Sequence, residues 1–148
     1  MSHEINLPDV SQIIPTSAHL KEALKDAPWV LELMNRLYFH SQWTYEHSVR
    51  VAYLMDVLSN SDQNAMRAGL LHDIGKIQIP RNILDAVALR EAGRQALDDH
   101  PRIGFEIVRE HDPQIARIIV AHHEPIKSYP RSQGMNMENL QLCKISCL

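Results

Sequence analysis

Apolar residues recur at intervals of three and four along most of this 148-residue chain. This spacing puts apolar side chains on one face of an α-helix, so it predicts a series of amphipathic helices. The predicted helices are a short first helix capped by Thr16 or Ser17, then 29–40, about 43–59, a helix from the Asp62 cap to Gly75, 86–98, a helix that starts at Pro101, and a helix that starts at Asp112 and Pro113. No stretch alternates apolar and polar residues for long enough to predict a β-strand. The sequence therefore predicts an all-α fold.

Residues that favour helix ends mark several of these boundaries. Pro28 and Pro101 suit the first turn of a helix, where a missing N–H costs nothing. Asp62 and Asp112 are expected N-caps, and Gly75 is the expected end of the helix that Asp62 begins. Within the helix at 43–59, His47, Val51, Leu54 and Leu58 are expected to form the inward stripe. In the helix that Asp112 begins, the expected inward stripe consists of Ile115, Ile118, Ile119 and His122.

The chain has the length of one domain. Residues 1–16 contain two prolines and little periodicity, and they are predicted to be an irregular N-terminal lead-in. Residues 17–148 are predicted to form one helical domain, with a loop at 124–137.

Charge and hydropathy exclude some classes of partner. The formal net charge is −3, and the basic residues are scattered, so duplex nucleic acid is not the expected partner. No apolar run approaches the roughly 20 residues that cross a bilayer, so no membrane association is expected. The N-terminus lacks the pattern of a signal peptide, and the expected location is cytoplasmic.

Histidine is unusually frequent, with nine in the chain. Five histidines lie on or beside the inward edges of predicted helices, together with Asp73; they are His47, His72, His100, His122 and His123. One such histidine is usually a core residue with a satisfied hydrogen bond. Several imidazoles converging with a carboxylate are best satisfied by a cation, so the pattern favours a metal site.

The two adjacent pairs, His72-Asp73 and His122-His123, suit two metal ions better than one. Neighbours on a helix diverge by about 100°, and a carboxylate can bridge two cations. Paired metals also serve phosphoester displacement. Imidazole-plus-carboxylate sites accept iron, manganese or zinc, so the identity of the metal stays open.

Four short motifs carry a resemblance to a known family. They are "HSVRVA" (47–52), "HDIGK" (72–76), "HPRIG" (100–104) and "HHE" (122–124). In this order they resemble the HD superfamily of metal-dependent phosphohydrolases. The nearest likeness within it is to the HD-GYP proteins, bacterial phosphodiesterases of cyclic di-GMP, and it spans about residues 43–145.

The resemblance implies a compact HD-domain helical bundle with the metal site between helices. The implied ligands of two divalent metal ions are His47, His72, Asp73, His100, His122 and His123. Asp73, as the bridging ligand, and Lys76, as a contact to substrate phosphate, would be the catalytic residues. Tyr129 and Arg131 would join Lys76 in binding the substrate, a cyclic dinucleotide or related nucleotide. For Lys76, a solvated lysine after a helix end is the competing interpretation.

The chain departs from the family pattern at three places. Ser128 stands where the signature loop has glycine, although Tyr129 and Pro130 remain. Trp43 replaces a glutamate found in members with a third metal, which favours two metals. A further metal-ligating aspartate of the family would fall just beyond Leu148, so either this chain is a shortened version of a longer protein or it lacks a ligand. The 148-residue form is expected to lack its last family helices and to be a poor phosphodiesterase.

These departures leave two functions open besides the enzyme. The first is a catalytically weak or inactive HD module that acts as a regulatory or partner-binding domain. The second is a structural helical domain with core histidines. The apolar C-terminal end, which contains Leu140, Leu142, Ile145 and Leu148, is expected to make a homodimer or bind another protein partner.

Overall fold

The structure is a computed structural model, and it describes residues 18–84 and 91–122. Its elements are α1 (Ala18–Lys25), α2 (Pro28–His40), α3 (Gln42–Leu58), α4 (Gln63–Leu71), a 3₁₀ helix (Ile74–Gln78), α5 (Arg81–Leu84), α6 (Glu91–Asp98), α7 (His100–Val108) and α8 (Pro113–Val120). These ranges contain no strand, which confirms the all-α prediction. Each helix in them is too short or too polar to cross a lipid bilayer. The predicted lead-in, the 124–137 loop and the apolar C-terminal end lie outside the described residues.

Both predicted aspartate caps are confirmed. Asp62 accepts a hydrogen bond from the Ala65 N–H at the start of α4. Asp112 accepts from the N–H groups of Gln114 and Ile115 at the start of α8. These bonds satisfy backbone donors that have no partner within the helix, so they fix where each helix begins.

The inward stripe of α8 is also confirmed, because Ile115 and Ile119 are fully buried and Ile118 nearly so. This stripe packs α8 against α7 and α4. The same face continues past the end of the helix to His122, which is fully buried. Burial of the isoleucines therefore fixes the position from which His122 projects.

The predicted stripe of α3 is wrong at Leu54 and Leu58, which are 43% and 52% exposed. The buried face instead includes Tyr45, Ala52 and Met55. Ala52 lies where α4 crosses α3, and a Cβ added to Gly69 of α4 would be 3.0 Å from the Ala52 Cα. Small residues allow the two helices to approach closely, and hydrophobicity alone does not reveal such a contact face.

The end of α4 also differs from the prediction, since the helix ends at Leu71 and not at Gly75. The chain then turns through His72 and Asp73 into the 3₁₀ helix, against which α7 packs. A Cβ on Gly75 would lie 2.0 Å from the His100 backbone oxygen and 2.8 Å from the Gly104 nitrogen. Gly75 thus lets the 3₁₀ helix touch the backbone of α7 directly, and it does not act as a helix terminator.

Candidate metal centre

Asp73 lies at the centre of a cluster of imidazoles that come from four parts of the chain. Its Oδ1 is 3.0 Å from His100 Nε2 and 3.7 Å from His122 Nε2. Its Oδ2 is 3.3 Å from His72 Nε2 and 3.9 Å from His47 Nε2. Asp73, His72, His100 and His122 are all buried. The fold therefore holds one carboxylate among four imidazole nitrogens with little access to water.

The cluster divides into two groups of ligand atoms that share Asp73. One group is His47, His72 and Asp73, and the other is Asp73, His100 and His122; within each, the ligand atoms lie within 4.8 Å of one another. The structure thus brings together five of the six predicted metal ligands. The sixth, His123, lies outside the described residues, as do Tyr129 and Arg131.

A backbone carbonyl three residues earlier in the chain orients each of the three buried rings. His72 Nδ1 donates to the Gly69 oxygen at 2.7 Å, and His122 Nδ1 donates to the Ile119 oxygen at 2.6 Å. His100 Nδ1 donates in the same way to the Leu97 oxygen. Because a carbonyl can only accept, the proton of each neutral ring resides on Nδ1. The Nε2 lone pair then points toward Asp73, which is the arrangement in which imidazole binds a metal.

These carbonyls belong to the last turns of three helices, α4, α6 and α8. The last carbonyls of a helix have no partner within it and carry partial negative charge, so they favour a nearby cation. The sequence motifs did not indicate this role of the backbone. The signal was present, because His72, His100 and His122 each follow the end of a helix by one or two residues.

The donor set fits a divalent cation. Ligand atoms about 2.0–2.2 Å from one ion are roughly 3.0–3.5 Å apart. The distances from His72 and His100 to Asp73 fall within that range, at 3.3 and 3.0 Å. Among the described residues, nothing forms a hydrogen bond with the buried His72 Nε2. A bound cation would be a partner for this nitrogen. A buried polar atom without a partner costs free energy.

His47 and Lys76 form the accessible side of the cluster, and each side chain is 17% exposed. Lys76 Nζ is 3.1 Å from Asp73 Oδ2, so this lysine is ion-paired and partly buried instead of solvated. Trp43 stacks on the His47 ring, with centroids 5.9 Å apart and an angle of 6° between the planes. A molecule entering the centre through the described part of the chain would pass these side chains.

The pKa values at the centre favour a negative Asp73 and neutral His47 and His122. Burial by itself would raise the pKa of Asp73, but interactions with His72, Lys76, His100 and His122 hold it well below its ordinary value. Burial lowers the pKa of His122 to about 4, against the opposing effect of Asp73. Burial and the neighbouring His72 also lower the pKa of His47. Metal ligands need these protonation states, namely an ionised carboxylate and an unprotonated Nε2.

We expect the metal-free protein to lose stability as the pH falls from 6.5 to 4. Unfolded His122 takes up a proton near its ordinary pKa of 6.5, whereas folded His122 resists protonation down to about 4. The unfolded state therefore binds more protons in this window, and stability falls with decreasing pH. The difference in pKa corresponds to about 3 kcal/mol in the free energy of unfolding. Urea unfolding with a chelator at pH 7, 5.5 and 4.5 measures it.

The matched variant for this prediction is His122→Gln, which has no titratable side chain at this position. Its free energy of unfolding should fall less steeply between pH 6.5 and 4 than that of the wild type. Equally steep curves for the two proteins would show that another group causes the loss.

Comparison with known proteins assigns the motifs to a family. A family model described as HD domain matches residues 44–146, which include every predicted metal ligand. No solved structure matches the chain.

Two curated relatives show what similar proteins do. The chain is 33% identical over 109 residues to Ribonuclease Y of Geobacter metallireducens, a match that covers 68% of this chain and 18% of the relative. It is 34% identical over 112 residues to the 3'3'-cGAMP-specific phosphodiesterase 3 of Vibrio cholerae, covering 69% of this chain and 24% of the relative. The chain therefore matches less than a quarter of the length of either relative.

Proposed function

Because the chain belongs to the HD domain family, we propose that it is a metal-dependent phosphohydrolase that cleaves a phosphodiester bond in a cyclic dinucleotide or related nucleotide. The names of the two relatives support this class of reaction. One is a ribonuclease and the other a phosphodiesterase of a cyclic dinucleotide. The backbone of RNA and the ring of a cyclic dinucleotide are both joined by phosphodiester bonds.

The observation that carries the proposal is the position of Asp73 between two pairs of imidazoles. Its Oδ2 faces His47 and His72, and its Oδ1 faces His100 and His122. Each carboxylate oxygen thus has its own pair of nitrogen donors, as a bridging ligand of two cations requires. We propose that these residues, with His123, hold two divalent ions, and iron, manganese and zinc all suit the donor set.

Bound divalent cations supply Lewis acidity, which activates water and neutralises charge on phosphate. The residues of the chain have the remaining tasks. The three buried histidines keep their Nε2 atoms aimed inward through their bonds to backbone carbonyls. A rigid arrangement of this kind avoids reorganisation when the reaction occurs.

The substrate phosphate reaches the centre from the side of His47 and Lys76, because the other rings are buried among the described residues. In the structure Lys76 Nζ lies 3.1 Å from Asp73 Oδ2. When the substrate binds, the ammonium group of Lys76 moves toward a phosphate oxygen. The oxygen of water forms a bond to phosphorus as the water gives up a proton, the phosphorus–oxygen bond of the ester breaks, and the leaving oxygen takes up the proton that the water released. Lys76 stabilises the negative charge that develops on the phosphate during this exchange.

The resemblance to HD-GYP proteins makes cyclic di-GMP the first substrate to test, with Tyr129 and Arg131 as further substrate contacts. The Vibrio cholerae relative adds 3'3'-cGAMP, and the Geobacter relative adds a short RNA. The metal-loaded chain should convert at least one of these three into linear or shorter products, and a chelator should abolish the conversion. Absence of hydrolysis in all three, with metal bound, would contradict the proposed activity.

Lys76→Met is expected to lower kcat about 100-fold, as loss of one charge-stabilising group commonly does. Metal content should stay the same or increase, because the substitution removes a positive charge 3.1 Å from the Asp73 carboxylate. Chromatography of the products measures turnover, and elemental analysis of the same preparations measures metal.

Lys21→Met is the matched control, since Lys21 is an exposed lysine on α1 and lies outside the four motifs that contain the candidate ligands. It should keep the turnover and metal content of the wild type. A parallel loss of metal and turnover in Lys76→Met would show that Lys76 supports the centre itself and does not act on the substrate.

A further inference from the structure

A second concave site lies between α2 and the 3₁₀ helix. This cavity has a volume of about 400 Å³, and its lining consists of Asn35, Arg36, Phe39, His40, Ile77 and Arg81. None of the described candidate metal ligands belongs to this lining. The site is therefore separate from the centre around Asp73, and the proposed hydrolysis does not use it.

The cavity carries positive charge without a compensating acid. Two arginines line it, and the lining contains no aspartate or glutamate. Arg81 donates a hydrogen bond to the backbone oxygen of Phe39, which holds its guanidinium at the cavity wall. Neither Arg36 nor Arg81 forms an ion pair with a carboxylate in the described part of the chain. Guanidinium groups in this situation favour an anion, and phosphate most of all, because it accepts paired hydrogen bonds.

The rest of the lining suits a planar group that can form hydrogen bonds. Phe39 is 37% exposed and offers an apolar aromatic face. Asn35 Oδ1 is buried and has no hydrogen-bond partner among the described residues. His40 is fixed at the wall by donation from Nε2 to the Ile79 oxygen at 2.6 Å. An aromatic face beside an amide in need of a partner can bind a nucleobase through stacking and through its edge.

Another cavity, lined by residues of α7, α8 and the turn between them, serves as a comparison for the cavity at α2. It measures about 460 Å³ and also contains one phenylalanine and two arginines, Phe105, Arg109 and Arg117. Its lining, however, includes Glu110, and Arg109 forms an ion pair with Glu106 at 3.3 Å. The two cavities are therefore similar in size and both contain a phenylalanine and two arginines. They differ in that a glutamate lines the comparison cavity, whereas the lining of the cavity at α2 has a net positive charge that attracts an anion.

We propose that the cavity at α2 binds a nucleoside monophosphate. The phosphate lies against Arg36 and Arg81, and the base lies on Phe39 with its edge toward Asn35. This binding requires neither metal nor hydrolysis, so it holds or fails independently of the proposed function.

Calorimetric titration of the full, chelator-treated chain with AMP tests the proposal. We expect saturable binding with one site, and Arg36→Gln should weaken it at least about tenfold, the usual scale for a charged hydrogen bond. Arg36 is exposed and makes no hydrogen bond within the described residues, so this variant should fold normally. Phe39→Leu should weaken binding of AMP while leaving binding of inorganic phosphate unchanged.

Arg109→Gln, in the comparison cavity, is the matched control and should bind AMP like the wild type. Absence of saturable binding to the wild type at millimolar AMP would overturn the proposal. So would equal losses in Arg36→Gln and Arg109→Gln, because a general effect of surface charge would then explain both. Equal weakening of AMP and inorganic phosphate by Phe39→Leu would overturn the assignment of the base.

Discussion

Asp73→Asn is expected to weaken metal binding by at least about 100-fold, since loss of even an outer partner of a metal ligand costs roughly 10–100-fold. The substitution keeps the size of the side chain and removes its negative charge. That charge faces all four imidazoles of the cluster at 3.0–3.9 Å, so both groups of ligands lose their shared member. Elemental analysis after reloading and dialysis measures the loss.

Stability provides a second measurement of the same change. Metal that binds only the folded state raises the melting temperature of the wild type. The melting temperature of Asp73→Asn should respond little to added metal. Asp99→Asn, an exposed carboxylate one residue before His100, is the matched control and should behave like the wild type. Full metal content in Asp73→Asn would contradict the assignment of Asp73 as the shared ligand.

Gly75→Ala is expected to destabilise the protein by about 3 kcal/mol, at the upper end of the usual cost of overpacking. The added Cβ would lie 2.0 Å from the His100 backbone oxygen, and backbone cannot move aside as the end of a side chain can. No described glycine has a positive φ, so the cost comes from the contact and not from the backbone conformation. Separation of α7 from the 3₁₀ helix should also move His100 away from Asp73 and weaken metal binding.

Gly104→Ala is the matched control, on the opposite side of the same contact. Its nearest neighbour would be a methyl group of the Ile119 side chain at 3.2 Å, which can adjust. We expect a loss of about 1 kcal/mol or less and nearly normal metal content. Urea unfolding of both variants measures the difference, and equal stability of the two would show that the contact at Gly75 yields easily.

Helix positions were predictable from the sequence wherever a clear cap and an apolar stripe agreed. At α8, Asp112 caps the helix, and Ile115 and Ile119 are buried as expected. At α3 the prediction failed because the contact with α4 depends on the small residues Ala52 and Gly69. Close approach of backbones contributes packing that a hydrophobic pattern does not record.

The proximity of Asp73 to four histidines was predictable from the sequence, but the geometry within this cluster was not. The motifs identified Asp73 and its histidines, which the structure brings together. The motifs do not indicate which imidazoles face which oxygen of Asp73, because that depends on how α3, α7 and α8 pack. The ion pair between Lys76 and Asp73 was missed for the same reason, since it depends on the 3₁₀ turn that replaces the end of α4.

The contact between Gly75 and α7 also bears on the order in which the protein is assembled. Synthesis produces the N-terminal part of the chain first. His47 on α3 therefore emerges before His100 and His122 exist, as do His72 and Asp73, which follow α4. At that stage only His47 and His72 are present beside Asp73, and both face Oδ2. The histidines that face Asp73 Oδ1 are still missing. Docking of α7 on the 3₁₀ helix closes this side later, so completion of the centre is a late folding event that requires contacts between residues distant in the chain.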